Sequence, residues 1–129
     1  MRKARRGDVV VPRMEDARFL NIDLDVRSRR SLAPLTAVWP WAYRPLVAEG
    51  RPNPRWLILN PRRPVETAEA AAKQLLSYIS DLQGDAQRCW RDAHRRMFDI
   101  RVQAGSTGRA FEEVRLTPDT LRRIASVGA

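Results

Sequence analysis

Three acids and two arginines stand where paired charges can do chemistry. Asp23, Asp25 and Asp99 fall at alternate positions of two polar–apolar segments, with Arg101 and Arg115 on the same polar side. Paired carboxylates suit proton transfer or a divalent cation. No Gly-rich phosphate loop or metal-ligand spacing accompanies them, so charges pairing across a solvated sheet face is the simpler reading. Nucleophilic catalysis needs an activated Ser, Thr or Cys beside a base. The one Cys, Cys89, falls on the inner side of an expected helix, where a thiol serves as a small hydrophobe. The one His, His94, follows five residues later, roughly 140° round the helix at ~100° per residue, so the two do not stack. A single Cys excludes an intramolecular disulfide framework and a cysteine-rich zinc site, and a single His excludes a two-histidine metal motif. The residues therefore point to no catalytic group, metal or cofactor.

The 129 residues carry 24 Lys+Arg against 15 Asp+Glu, a formal net charge of +9. Of the basic residues 22 are Arg, and only Lys3 and Lys73 are Lys. Guanidinium forks pair with carboxylates and phosphates and stack on aromatic rings, which suits an anionic partner. A GC-rich genome gives the same bias with no functional reason. The Arg pairs are scattered along the chain, and those near helix ends complement the helix dipole. The length fits one domain. No apolar run approaches the ~20 residues of a membrane span, so no membrane partner is expected. Met1-Arg-Lys-Ala-Arg-Arg-Gly7 is followed only by Val9-Val-Val11 before Pro12, too short for the apolar part of a secretory signal. A cytoplasmic protein is expected, with a basic, flexible arm over residues 1–16 and a single α+β domain over 17–129.

The spacing of apolar residues places the elements. Leu20, Ile22, Leu24 and Val26 alternate with Asn21, Asp23 and Asp25, the pattern of a half-buried strand over 19–26. Ser28 and Ser31 offer caps for a short helix with Leu32, Leu35 and Trp39 inward, Pro34 in its first turn and Pro40 ending it. Residues 41–47 suit an edge strand, given Pro45, and 49–54 a turn. Trp56-Leu-Ile-Leu59 is apolar on both faces, so a central strand is predicted. The clearest helix carries Ala68, Ala72, Leu75, Ile79 and Leu82 in one stripe, with Gly84 as a left-handed cap. Asp85 suits the cap of a second helix, to about residue 95, with Ala86, Cys89, Trp90 and Ala93 inward. A strand is predicted over 97–104 with Phe98, Ile100, Val102 and Ala104 inward, then a turn at 105–108 and a weaker strand over 110–116. Thr117-Pro118-Asp119 starts a last helix with Leu121, Ile124 and Ala125 inward.

The order β-α-(β)-β-α-α-β-β-α predicts an α+β fold with a ferredoxin-like split β-α-β core. The sheet would have four to five strands, antiparallel or mixed, with helices on one face. Asn21-Ile-Asp-Leu-Asp25, the helix ending in Trp39-Pro40, Arg55-Trp-Leu-Ile-Leu59, Phe98-Asp-Ile-Arg-Val102 and the stretch from Phe111 to Ala125 follow one another in this order. This succession, over roughly residues 18–127, resembles a family of small bacterial domains of unknown function, some of which look like immunity proteins of contact-dependent toxin systems. The chain departs from that pattern in its basic arm and in ending at Gly128-Ala129, where those domains add a strand. The resemblance implies a cytoplasmic protein that binds and blocks one cognate toxin; it carries over no catalytic residue.

Two binding surfaces follow. The first is a protein-binding face of Asp23, Asp25, Asp99 and Arg101 together with Trp41, Tyr43 and Arg44, since aromatics and Arg are enriched in interface hot spots. A cognate protein with an acidic surface, such as a toxin or effector, is the partner expected there. The alternative is an RNA- or DNA-binding surface of Arg2, Lys3, Arg5, Arg6, Arg55, Arg62 and Arg63. Against that alternative, the glycine–aromatic signature of the common RNA-recognition module is absent, and acids on the sheet face repel phosphate.

Overall fold

A computed structural model of the chain describes residues 18–45, 54–103 and 115–129. The expected basic arm, the turn at 105–108 and most of the strand expected over 110–116 lie outside the described residues. The elements run β1 (Arg18–Arg27), α1 (Ala33–Val38), β2 (Trp56–Leu59), α2 (Ala68–Ser80), α3 (Gly84–Asp92), β3 (Arg95–Gln103) and α4 (Pro118–Ser126). The fold is α+β, with a three-stranded antiparallel sheet of order β2-β1-β3 and four helices among the described residues.

The sheet differs from the four to five strands expected. Within 41–45 the only pairing is an isolated bridge from Tyr43 to Ile58, since Pro40 and Pro45 on either side cannot donate to a ladder. The central strand is β1, not β2. Trp56 and Ile58 are only half-buried on the second face, so apolar residues on both sides of a strand did not require a central position. β1 and β2 also pair directly, with Leu24 opposite Leu59 and Arg27 opposite Trp56. That differs from a split β-α-β unit, in which another strand separates the two joined by the helix.

Alternation along β1 and β2 sends Ile22, Leu24, Val26, Leu57 and Leu59 to one face, where all are fully buried. The helices cover this face. Leu35 of α1, the Ala71, Ala72, Leu75 and Ile79 stripe of α2, and Ala86 and Trp90 of α3 join the strands in one core cluster. Each buried Leu or Ile contributes about 1.5–3 kcal/mol. Trp39 meets Trp90 edge-on, with ring centroids 6.4 Å apart. The Trp90 indole N–H donates to the Val127 carbonyl at 3.0 Å, tying the end of α4 to α3. Gly84 takes φ +58° at the start of α3. It makes the tight turn out of α2 that only glycine adopts without strain. Gln83, not Asp85, precedes this helix, and its side chain makes no capping bond.

The last helix is rotated from expectation. Thr120 is fully buried, Ile124 is half-buried against the core, and Leu121 and Ala125 face outward. A threonine can take the innermost position because its hydroxyl has a dedicated acceptor. Thr120 Oγ1 donates to Glu69 of α2 at 2.7 Å, and the Thr117 N–H and hydroxyl donate to the same carboxylate at 3.0 Å each. Lys73, one turn along α2, adds a cation 3.4 Å away. These donors, Thr120 first, hold the Glu69 carboxyl down to about 2 from its ordinary 4.5. A carboxylate stabilised in the folded state contributes fully above its unfolded pKa, and the contribution is lost as it protonates. The α2–α4 clasp should therefore weaken as pH falls from 4.5 towards about 2. In urea titrations over that range, the native chain should lose its stability advantage over Glu69→Gln; a gap that stays constant would show that the clasp does not depend on the Glu69 charge.

Candidate functional site

The second face of the sheet is where the expected charges lie, and the structure uses most of them internally. Asp25, two residues before the end of β1, is only 9% exposed. Its carboxylate accepts the Trp56 indole N–H of β2 at 3.0 Å. Arg27 Nε approaches at 3.4 Å and Arg95 Nε of β3 at 3.7 Å. The Arg27 guanidinium also lies over the Trp56 ring, 3.9 Å from its centroid. Asp23, 6% exposed, is ion-paired with Arg101. Asp99 stands directly opposite Asp23 in the register. Like charges at that position repel, and the Arg101 pairing offsets the repulsion. Buried carboxylates with this many partners hold strands together and are poorly placed to meet a second molecule.

The remaining partner-binding candidates gather elsewhere. The Tyr43–Ile58 bridge lays residues 41–44 along the free side of β2, with N–H···O bonds of 2.8 Å in both directions. Trp41 donates its indole N–H to the Asn60 carbonyl at 3.2 Å. Tyr43 is 61% exposed and Arg44 is exposed beside it. This edge continues into the loop Asn60-Pro-Arg-Arg-Pro64, which leads into α2. The Arg62 guanidinium packs over the Trp41 ring at 4.6 Å, and Trp41 meets Tyr78 of α2 edge-on at 5.4 Å.

Of the residues assigned to the alternative surface, Arg62 thus packs on Trp41 of the first, with Arg63 next to it in the loop. Arg55 does not join them. Its guanidinium donates to the Arg29 carbonyl at the far end of β2. Arg2, Lys3, Arg5 and Arg6 lie outside the described residues. Arg44, Arg62 and Arg63 make no ion pair among the described residues.

Sequence reasoning missed the α2 contribution. Tyr78 and Gln74, four residues apart, share one side of that helix, and both hydrogen-bond the arginine loop. Their spacing was the available signal, but they flank the apolar stripe and read as ordinary solvent-facing residues. Trp56, Arg27 and Arg95 were missed because the register that gathers them around Asp25 needs three strands aligned.

Cys89 is half-buried at the α1–α3 contact. Its thiol donates weakly to the Ser31 carbonyl at 3.6 Å, and burial pushes its pKa up. His94 is exposed, and its backbone N–H donates to the Arg27 carbonyl at 3.0 Å. No group of three or more His, Cys, Asp or Glu gathers to hold a metal, and no helix is long and apolar enough to cross a membrane, among the described residues. Comparison with protein-family models, curated proteins and solved structures finds no match.

Asp25 should differ sharply from Asp99 when changed. Asp25→Ala leaves an indole N–H without its acceptor and two arginines without their counter-charge, and should cost about 2 kcal/mol, discounted for the half-exposed arginines. Asp25→Asn retains an acceptor for Trp56 and should cost about 1 kcal/mol. Asp99→Asn removes a like-charge contact and should be neutral or stabilising by about 0.3 kcal/mol. Urea unfolding of the three variants checks the order; equal costs at positions 25 and 99 would show that Asp25 is not a structural hub.

Proposed function

We propose that the chain is a non-catalytic protein-binding module that recognises an acidic protein, of the immunity type that binds and neutralises a cognate bacterial toxin. One observation carries the binding reading. Trp41, Tyr43 and Arg44 lie along the free side of β2, Arg62 packs on Trp41 with Arg63 beside it in the loop, and the three arginines have no acid partner among the described residues. Aromatic and Arg side chains on a fixed support are the usual energetic anchors of protein interfaces, and unpaired positive charge speeds encounter with an acidic surface. The immunity role rests on the resemblance in the order of short segments, and a cytoplasmic site of action goes with it.

The ring geometry favours protein over nucleic acid. Base stacking needs open aromatic faces. Trp56 has Arg27 over its ring and Trp41 has Arg62, so of these rings Tyr43 alone stands open, which is too few for a run of stacked bases. The full chain, immobilised and exposed to lysate of its own organism, should retain one stoichiometric protein through nuclease treatment and moderate salt. The double variant Tyr43→Ala/Arg44→Ala should reduce that capture about tenfold or more, while Arg55→Ala leaves it unchanged. Recovery of RNA or DNA alone, with every protein lost on nuclease treatment and a steep loss of binding with salt, would replace this reading with nucleic-acid binding.

A further inference from the structure

The loop carrying Arg62 and Arg63 is held by its backbone. Pro61 and Pro64 fix the chain on either side of the arginine pair. The Arg62 N–H donates to the Tyr78 hydroxyl at 2.9 Å, and the Arg63 N–H donates to Gln74 Oε1 at 2.9 Å. The Tyr78 hydroxyl in turn donates its proton to the same Gln74 oxygen. Because the Arg63 N–H can only donate, the amide of Gln74 must present its oxygen to the loop. Its Nε2 group then points away from these bonds and has no hydrogen-bond partner among the described residues.

A cleft of about 430 Å³ opens between this loop and α2, lined by Arg62, Arg63, Gln74, Ser77 and Tyr78. A second, of about 400 Å³, lies against the same two arginines and Asn21. Among the described residues no carboxylate lines either cleft. The first wall therefore offers two guanidinium groups and an amide NH2, donors without an acceptor among the described residues. Ser77 has already given its hydroxyl proton to the Gln74 carbonyl at 2.7 Å. Stacking on Trp41 holds Arg62 before anything binds, which lowers the ordering cost of contact.

We propose that this cleft is a carboxylate-binding site that takes an Asp or Glu side chain from an acidic segment of the protein partner. The inference rests on the protein-binding reading above and adds what that partner must present. Charged donors on both arginines suit the two carboxylate oxygens, and the Gln74 amide supplies a third contact.

The decisive variant is Gln74→Glu. A glutamate at 74 keeps an oxygen for the Arg63 N–H and for the Tyr78 hydroxyl, and replaces the free NH2 with a negative oxygen in the cleft. The probe is a short, capped, fluorescein-labelled peptide of alternating Glu and Ser, read by anisotropy with the full chain. Its Gln counterpart and an oligothymidylate of equal charge serve as comparisons. The Glu peptide should bind at least about tenfold more tightly than the Gln peptide. Gln74→Glu, with an unchanged melting temperature, should weaken Glu-peptide binding about tenfold or more, as should Arg62→Gln/Arg63→Gln. Arg91→Gln, an exposed arginine at the end of α3, should leave it unchanged. Glu-peptide binding that survives Gln74→Glu at native strength overturns the site, and so does tighter binding of the oligothymidylate that competes the peptide away. Capture of the lysate protein by Gln74→Glu at the native level would leave the binding module standing and remove the cleft from it. A Glu peptide sensitive to Gln74→Glu, with no lysate protein captured by the native chain, would uphold the cleft and remove the proposed function.

Discussion

A carboxylate shielded from water in the middle of a sheet has to be met by donors or by opposite charge, and in this chain all three strands take part: β1 and β2 supply hydrogen bonds, and β3 supplies the charge of Arg95 without one. Asp25 belongs to β1, the indole that donates to it to β2, and the arginines beside it to β1 and β3. Hydrophobic burial on the opposite face is non-directional and would tolerate some sliding of one strand on the next. Hydrogen bonds and close ion pairs would not, because their geometry is narrow. The register of a small sheet with a four-residue edge strand is thus pinned at one residue. This also accounts for a polar face that contains buried acids: they are part of the frame.

The helix α2 serves two purposes with different sides of its surface. Its alanine and leucine stripe closes the core against the sheet. Glu69 near its start holds α4, and Gln74 and Tyr78 further along hold the arginine loop. The small side chains of Ala68, Ala71 and Ala72 let the helix lie close over β1, and Tyr78 meets Trp41 edge-on. The free edge of β2, the loop and the helix form one rigid support for side chains that project outward.

Much of this architecture was legible from periodicity. The alternation in β1, the apolar stripe of α2 and the inner face of α3 are local patterns, and the described elements follow them. What was not legible depends on partners distant in sequence. Thr120 reads as a surface residue until Glu69, 51 positions away, is placed beside it. Trp56 reads as part of a buried central strand until Arg27 and Asp25 are seen to cover its ring and take its N–H. The site divided for a similar reason. Asp23 and Asp25 were grouped with Trp41 and Tyr43 because both sets looked polar or aromatic on otherwise buried elements. Pairing turns those acids inward to Arg101, Arg27 and Arg95, and leaves the aromatics with arginines first assigned to a different surface.

The loop between β2 and α2 is secured through its peptide groups and its prolines, and its two arginines contribute little to the fold beyond the packing of Arg62 on Trp41. The shape of this surface is therefore separable from the identity of the residues displayed at positions 62 and 63. Under the proposed binding role, substitutions there can retune what the surface accepts at little cost in stability.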